Sequence, residues 1–246
     1  HVSHLDWILL THIHMDHAGG IGHLAERFPG ARIVCHEKAV NHLIDPVRLW
    51  EGSLKILGHV ARVYGEIKPV PSASIMVTKQ VPFGDGIKVI STPGHAAHHQ
   101  CFVWKEFLFC GELFGIFQQL DQSIYLRPAT PPVFVLDDYL ASMDAVAPYM
   151  DRQICFSHYG TCHEGAEIIK IARQQLLLWV RVIKEYVDSD LGQVMGPVMD
   201  KIIGDLSDND PVYAQKELLP TEFYQREMHF SVNSIKGIFQ YLNRSV

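Results

Sequence analysis

The chain has 246 residues, of which 48% are hydrophobic and 20% charged, which is the composition of an ordinary globular protein with a sizeable core. Lysine and arginine number 21 against 27 aspartates and glutamates, and the resulting net charge of −6 argues against general binding to nucleic-acid phosphates. No apolar run reaches the roughly 18 residues that a membrane-spanning helix requires.

The cysteines are scattered along the chain, odd in number and without a Cys-x-x-Cys pair. Several lie within apolar, strand-like runs, where buried free thiols are common. They are Cys35, Cys101, Cys110, Cys155 and Cys162. This usage favours reduced thiols and a cytoplasmic location over a disulfide framework.

The most informative stretch follows a short apolar run near the start of the chain. Residues 7–10 (Trp-Ile-Leu-Leu) predict a buried strand, and Thr-His-Ile-His-Met-Asp-His-Ala-Gly-Gly follows at 11–20. Residues His12 and His14 are two apart, so on an extended backbone both can project toward one point. With Asp16 and His17 they offer imidazoles and a carboxylate, the ligands that a divalent ion needs. The sequence therefore predicts a metal site here.

Periodicity predicts alternating helices and strands along the rest of the chain. Helices are predicted over 20–28, 36–43, 54–64, 137–150 and 164–187, with a restart at Pro46 and further helices beyond 190 broken at Pro197, Pro211 and Pro220. Strands are predicted over 32–35, 75–77, 87–90, 101–104, 107–110 and 154–157.

Two of these segments carry detailed predictions. Residues 116–135 contain three prolines and are expected to form a long irregular loop that covers or lines a site. In the helix at 137–150, Asp137 or Asp138 is expected to be the cap. Its inner stripe is predicted to consist of Leu140, Met143, Ala147 and Met150.

Four short segments together resemble the motifs of the metallo-β-lactamase fold superfamily. Residues 12–17 match its signature His-x-His-x-Asp-His, and 92–95 (Thr-Pro-Gly-His) resemble its second metal motif. Residues 109–112 (Phe-Cys-Gly-Glu) stand in the place of its Gly-Asp motif, and 156–160 (Phe-Ser-His-Tyr-Gly) resemble the segment of its last ligand. Their order and spacing both fit the family.

The resemblance implies an α/β fold, namely a four-layer αβ/βα sandwich. It implies a metal-binding core over residues 1–165 and a helical extension over 166–246 packed on that core, in a single domain overall. Nothing in residues 1–10 matches the hairpin and Asp-Thr-Gly-like turn that normally precede the first motif, so we expect the N-terminal strands of the family to be lacking from this sequence.

The resemblance also implies a set of metal ligands for two divalent ions, most simply zinc. By this correspondence one ion would be held by His12, His14 and His95, the other by Asp16, His17 and His158, with Glu112 bridging. Three neutral imidazoles leave an open coordination position, as in catalytic zinc sites. Glu112 is one methylene longer than the usual Asp, which keeps iron and manganese open as alternatives.

Three further side chains have roles suggested by the motifs. His99 aligns with a second histidine of the family's loop and is expected to support the loop rather than bind metal. Tyr159 either packs or donates a hydrogen bond to a developing oxyanion. Asp16 is expected to orient the attacking hydroxide as well as to bind metal. His98 stands where the family usually has glycine, and the sequence suggests no role for it.

These implications favour a dinuclear metallohydrolase acting on a small ester, lactone, thioester or phosphodiester. The alternative is a non-heme diiron oxidoreductase or oxygen-binding protein of the same fold. Such relatives typically have Glu at the position of His14 and a flavin partner domain, but the carboxylate of Glu112 keeps this class open. A non-enzymatic module would be expected to have lost ligands, and β-lactam hydrolysis is a minority activity in the superfamily.

The expected partner is a small-molecule substrate, with neither nucleic acid nor a membrane involved. Nucleic-acid-cleaving relatives carry an inserted domain or a basic arm, and the acidic charge of this compact chain argues against that class. A monomer and a homodimer are both left open.

Overall fold

The computed structural model describes residues 2–189 and 196–244. Contacts divide the chain into two compact units, one of residues 1–93 and 97–105 and the other of residues 94–96 and 106–246. Strands and helices occur in both units. The expected boundary at residue 165 stays a prediction. Among the described helices, none combines the length and the apolar character needed to cross a bilayer.

The first unit alternates short strands with short helices. Its elements are β1 (Trp7–Leu9), α1 (Met15–Ala18), α2 (Ile21–Arg27), β2 (Arg32–Val34), α3 (Val40–Ile44), α4 (Val47–Leu57), α5 (His59–Tyr64), β3 (Ile75–Met76), β4 (Gln80–Val81), β5 (Ile87–Ser91) and β6 (Gln100–Trp104). Strand β2 pairs in parallel with β1 and β3, while β5 pairs antiparallel with β4 and β6. The predicted helix at 54–64 is interrupted because Gly58 adopts a left-handed conformation with φ of 54°.

Helix α2 packs on the parallel strands through Ile21 and Ala25, which are buried. Leu24 does not belong to this inner face and is 40% exposed. Gly22 takes its place on the inner face, where an added Cβ would lie 2.6 Å from the Cβ of Lys68. Only glycine allows the helix to approach the segment at residue 68 this closely.

The second unit contains the remaining strands and the long helices. Its elements are β7 (Phe107–Gly111), β8 (Ile116–Gln119), β9 (Ile124–Arg127), α6 (Leu136–Val146), β10 (Gln153–Phe156), β11 (Thr161–Cys162), α7 (Gly165–Val187), α8 (Met199–Asn209) and α9 (Thr221–Arg244). Strand β10 pairs in parallel with β7 and antiparallel with β11. None of the five cysteines, all of which lie within the described residues, forms a disulfide, as the sequence predicted.

The prediction of an irregular loop over residues 116–135 was wrong. Strands β8 and β9 pair antiparallel in this segment, with Ile116 opposite Arg127 and Gln119 opposite Ile124. Residues 116, 117, 125 and 126 are buried. All three prolines of the segment lie after residue 127, so every backbone N–H of the hairpin remains available for pairing.

Most of the details predicted for α6 were also wrong. The capping position is Val135, and Asp137 and Asp138 lie in the first turn, where their charges favour the positive end of the helix dipole. The buried face consists of Tyr139, Ser142, Met143 and Val146. Met143 is the one predicted member that is fully buried, and Met150 is 37% exposed because the α-helix ends at residue 146.

The C-terminal helices follow the predicted breaks. Helix α7 covers 165–187 as expected, α8 ends two residues before Pro211, and α9 begins directly after Pro220. On the inner face of α7, Gln175 Nε2 and Trp179 Nε1 each donate a 2.8 Å hydrogen bond to Asp210 Oδ2. Residues 190–195 of the predicted tail lie outside the described part of the chain.

Candidate functional site

The first group of predicted ligands lies in one turn of the first unit. The backbone turns after β1, and His14 occupies the N-terminal capping position of α1, which carries Asp16 and His17. The ring centroid of His12 lies 4.7 Å from that of His14 and 4.2 Å from that of His17. His12 is 1% exposed. Ligand atoms of Asp16 and His17 lie within 4.8 Å of each other, as do those of His12 and His14.

Residues at the start of β6 hold this turn in place. Gln100 donates its backbone N–H to Thr11 O at 2.7 Å and its side-chain Nε2 to Leu10 O at 2.9 Å. His98 Nδ1 accepts the backbone N–H of Ile13 at 3.4 Å, which gives this histidine the role that the sequence did not suggest.

His99 supports the loop before it, as expected. Its Nδ1 lies 3.1 Å from the carbonyl oxygen of Thr92 and 2.8 Å from Thr92 Oγ1. Thr92 in turn donates its backbone N–H to His99 O at 2.9 Å. A carbonyl oxygen only accepts, so the imidazole carries its proton on Nδ1 and closes both ends of the loop.

The second unit holds His95 in a defined orientation. Gly94 has φ of 132°, and a Cβ there would lie 2.5 Å from Tyr139 Cα, so glycine alone fits beside α6. His95 Nδ1 donates to Ala129 O at 2.8 Å. The neutral ring therefore presents the lone pair of Nε2 in the opposite direction, which is how metal-binding histidines are usually oriented.

Glu112 connects two imidazoles through its two carboxylate oxygens. Oε2 lies 2.8 Å from His95 Nε2, and Oε1 lies 2.9 Å from His158 Nε2. Glu112 is only 7% exposed, and Tyr139 Oη donates to its backbone oxygen at 2.7 Å. The same tyrosine thus packs against Gly94 and holds the backbone of Glu112, although it was not part of the predicted face of α6.

The surroundings of His95 fit a cation at Nε2. Both ring nitrogens face acceptors, because Nδ1 is directed at Ala129 O and Nε2 at the Glu112 carboxylate. A neutral imidazole has one proton to give, so the contact with Glu112 needs either a second proton or a metal ion that both groups bind. Imidazole with carboxylate is a donor set that zinc, iron and manganese all accept.

The turn after β10 carries His158 and Tyr159. Phe156 N donates to Gly160 O at 3.0 Å, and Tyr159 adopts the left-handed conformation with φ of 65°. Burial raises the pKa of the Tyr159 hydroxyl. That hydroxyl is buried and has no hydrogen-bond partner among the described residues.

Helix α9 covers the ring of Tyr159, which the sequence did not indicate. The Phe223 ring lies edge-on at 5.3 Å between centroids, and the Arg226 guanidinium lies over the Tyr159 ring at 5.4 Å. A phenol held on two sides, with an unused donor, is suited to hydrogen-bond a bound molecule.

Comparisons with known proteins agree with these motifs. The family model described as metallo-beta-lactamase superfamily matches residues 1–158. A metallo-beta-lactamase fold-containing protein of Sulfurisphaera tokodaii, ST1585, is 28% identical over 207 residues, which is 81% of this chain and 76% of that protein. The hydroxyacylglutathione hydrolase of Klebsiella pneumoniae is 30% identical over 105 residues, 43% of this chain and 32% of that enzyme.

Solved structures match over nearly the whole chain. The crystal structure of ST1585 from Sulfolobus tokodaii has a TM-score of 0.65 at 23% identity, covering 99% of this chain and 82% of that one. The structure of TTHA1429 from Thermus thermophilus has a TM-score of 0.61 at 19% identity, covering 98% of this chain and 75% of that one. At these identities the likeness shows the fold alone, and it confirms the predicted α/β fold.

Proposed function

This chain belongs to the metallo-beta-lactamase superfamily, and from that premise we propose that it is a metal-dependent hydrolase that uses two divalent ions. The substrate is a small ester, thioester, lactone or phosphodiester. Sequence identity to a hydroxyacylglutathione hydrolase, an enzyme named for an acyl group joined to a thiol, makes thioesters the first class to test.

The proposed ligands come in two groups that share Glu112. By correspondence with the motifs of the family, one ion would be held by His12, His14, His95 and Glu112, and the other by Asp16, His17, Glu112 and His158. The observation that carries the proposal is the geometry of Glu112, whose two oxygens lie 2.8 Å from His95 Nε2 and 2.9 Å from His158 Nε2. A carboxylate that divides its oxygens between a histidine of each group is suited to bridge two ions.

Each residue of the proposed site would have a separate role in hydrolysis. When bound, a pair of divalent ions supplies an acidified water and polarises the substrate oxygen. The hydrogen bond to Ala129 O keeps the lone pair of His95 on Nε2. The exposed carboxylate of Asp16, 3.5 Å from His17 Nε2, would orient the water and accept its proton. The hydroxyl of Tyr159 would donate a hydrogen bond to the substrate oxygen on which negative charge develops.

The second candidate function is diiron redox chemistry, as in an oxidoreductase or oxygen-binding protein. It is favoured by the same Glu112, because histidine with bridging carboxylate is also a donor set for non-heme iron. His14 opposes it, since the redox relatives typically have Glu at that position. The two functions differ in the metal that binds and in the need for oxygen.

The test is metal analysis of protein purified without chelators, followed by assays on thioester, lactone and phosphodiester panels. We expect two equivalents of zinc or manganese, with hydrolysis that a chelator abolishes and added metal restores. The variant His158→Ala is expected to lose a metal and nearly all activity. The matched control His163→Ala, which changes an exposed histidine five residues away, should retain both.

Three outcomes would count against the proposal. Full turnover in His158→Ala would refute the ligand assignment. Protein that binds no metal under any loading condition would refute the metallohydrolase. Two equivalents of iron with an oxygen-dependent colour change and no hydrolysis would replace it with the redox function.

A further inference from the structure

A segment of the second unit, residues 127–130, is fastened to helix α9 by buried hydrogen bonds. Ser234 Oγ donates to Pro128 O at 2.8 Å and accepts from Arg127 Nη1 at 2.9 Å. Thr130 Oγ1 donates to Ser234 O at 3.0 Å, and Thr130 N lies 3.4 Å from Ser234 Oγ. The serine is 3% exposed, so these bonds are shielded from water.

A buried ion pair strengthens the same attachment. Arg127 Nε donates to Glu227 Oε2 at 2.8 Å, and Tyr125 Oη donates to the same oxygen at 3.0 Å. Burial lowers the pKa of the Arg127 guanidinium, but Glu227, Tyr125 and Glu112 together outweigh burial, and the pKa is raised. The arginine stays charged and keeps its other donor on Ser234.

The helix also lies directly against the segment. A Cβ on Gly237 would collide with the backbone carbonyls of Thr130 and Pro131, so the helix can approach this closely only at a glycine. The segment 127–130 is therefore held at its first, second and fourth residues. Ala129 lies between two of the fixed residues, and its carbonyl direction follows from theirs.

The carbonyl of Ala129 is the group that orients His95. It accepts the Nδ1 proton of His95 at 2.8 Å, which leaves Nε2 facing Glu112. We infer that Ser234, on the C-terminal helix, is a positioning residue for the metal ligand His95 and acts through the Ala129 carbonyl. The inference rests on the proposed function, because it takes His95 to be a ligand.

Loss of the group that hydrogen-bonds the second ring nitrogen of a metal-binding histidine typically weakens metal binding by about 10- to 100-fold. Ser234 does not contact His95 itself but acts on it through the segment that carries the Ala129 carbonyl, so we expect the lower end of that range. Without Ser234 Oγ, the Pro128 carbonyl and Arg127 Nη1 each lose one partner, although Arg127 Nη1 still donates to Pro128 O at 3.2 Å. The direction of the Ala129 carbonyl is then less tightly held. The imidazole of His95 would then exchange between its two tautomers.

The test compares Ser234→Ala with Ser231→Ala, a matched control for a fully buried serine one turn earlier on α9. Chelator competition measures the affinity of the metal-free proteins for zinc, and ¹⁵N imidazole shifts report the tautomer of His95 without metal. Wild type and Ser231→Ala are expected to hold His95 as the Nδ1–H tautomer. Ser234→Ala should show mixed tautomers and about 10-fold weaker binding of one zinc equivalent.

The outcomes separate this inference from the proposed function. Unchanged tautomer and unchanged zinc affinity in a folded Ser234→Ala would overturn the inference while leaving the hydrolase in place. Wild type that binds no zinc but holds the Nδ1–H tautomer would refute the proposed function instead. If Ser234→Ala does not fold, Ser234→Cys replaces it, because a thiol is a weak hydrogen-bond donor and acceptor. Its expected effect has the same direction, and wild-type behaviour in this variant would overturn the inference.

Discussion

Glu112 reaches two imidazoles at once, and that reach depends on side-chain length. Its oxygens lie 2.8 Å from His95 Nε2 and 2.9 Å from His158 Nε2. A neutral amide in its place keeps the length but offers one poor ligand oxygen and no charge. Direct ligation matters more than the surrounding hydrogen bonds, whose loss costs about 10- to 100-fold.

We therefore predict that Glu112→Gln loses one of two metal equivalents and at least about 100-fold in kcat/KM. Glu112→Asp, one methylene shorter, is expected to keep some activity with weaker binding of one ion. Both would be measured by metal analysis after dialysis and by steady-state kinetics. Wild-type metal content in Glu112→Gln would show that this carboxylate does not bridge.

The role of Tyr159 can be tested by removing a single atom, its hydroxyl oxygen. Its hydroxyl is buried without a partner among the described residues, so removing it leaves no broken hydrogen bond in the free protein. We predict that Tyr159→Phe has an unchanged or slightly higher Tm. Its kcat falls by about 10- to 100-fold, less than for loss of a full oxyanion-hole donor. Equal kcat in wild type and Tyr159→Phe would leave the tyrosine with a packing role only.

At the scale of elements, strand β9 and helix α9 are joined by the buried pair Arg127–Glu227, with side chains 4% and 3% exposed. Removing one partner leaves an uncompensated buried charge. We predict that Glu227→Leu lowers the free energy of unfolding by about 3–5 kcal/mol.

The double variant Arg127→Met/Glu227→Leu removes both charges and should recover a large part of that loss. Urea unfolding of both variants and of wild type measures the difference. A double variant as unstable as Glu227→Leu alone would mean that the cost arises from packing rather than from the unpaired charge.

The sequence predicts the elements of this fold where the signal is local. The strands before His12 and His158 and the long helix α7 follow from apolar periodicity and agree with the structure to within a few residues. The hairpin at 116–127 is difficult to recognise from the sequence because the three prolines that follow it, at 128, 131 and 132, are typical of an irregular segment. The face of α6 was missed because a tyrosine and a serine, rather than aliphatic residues, form part of its buried stripe.

The contacts that orient the candidate ligands could not be read from the sequence. His95 is held by Ala129, 34 positions away, and Thr130 is held by Ser234, 104 positions away. Backbone carbonyls and the hydroxyls of serine and threonine have no recognisable sequence pattern. Which of them form hydrogen bonds with each other depends on tertiary packing. The contacts of His98 and Gln100 in the first unit could not be predicted for the same reason, because their partners are backbone atoms in and next to the first motif.

At the scale of the whole molecule, buried cysteine thiols make the free energy of unfolding depend on pH in the alkaline range. Burial raises the pKa of Cys35 to about 11 and that of Cys101 to about 12. In the unfolded chain both thiols ionise near pH 9, so the unfolded state binds fewer protons above that pH. Their stabilising contribution is complete below pH 9 and is lost as the pH rises through the folded values.

We predict that the free energy of unfolding falls as the pH rises from 9 toward 12. Urea unfolding across this range measures it, and Cys101→Ala should show a smaller slope than wild type. The same slope in both proteins would mean that this thiol does not control alkaline stability.

The central claim is that the seven side chains of the two proposed ligand groups bind one pair of divalent ions. The most direct measurement is anomalous diffraction at the zinc edge from crystals of the zinc-loaded protein. The proposal predicts two peaks, each within about 2.2 Å of a histidine nitrogen, with a Glu112 oxygen on both. A map with no peak at Glu112, or with zinc bound only to surface histidines, would contradict it.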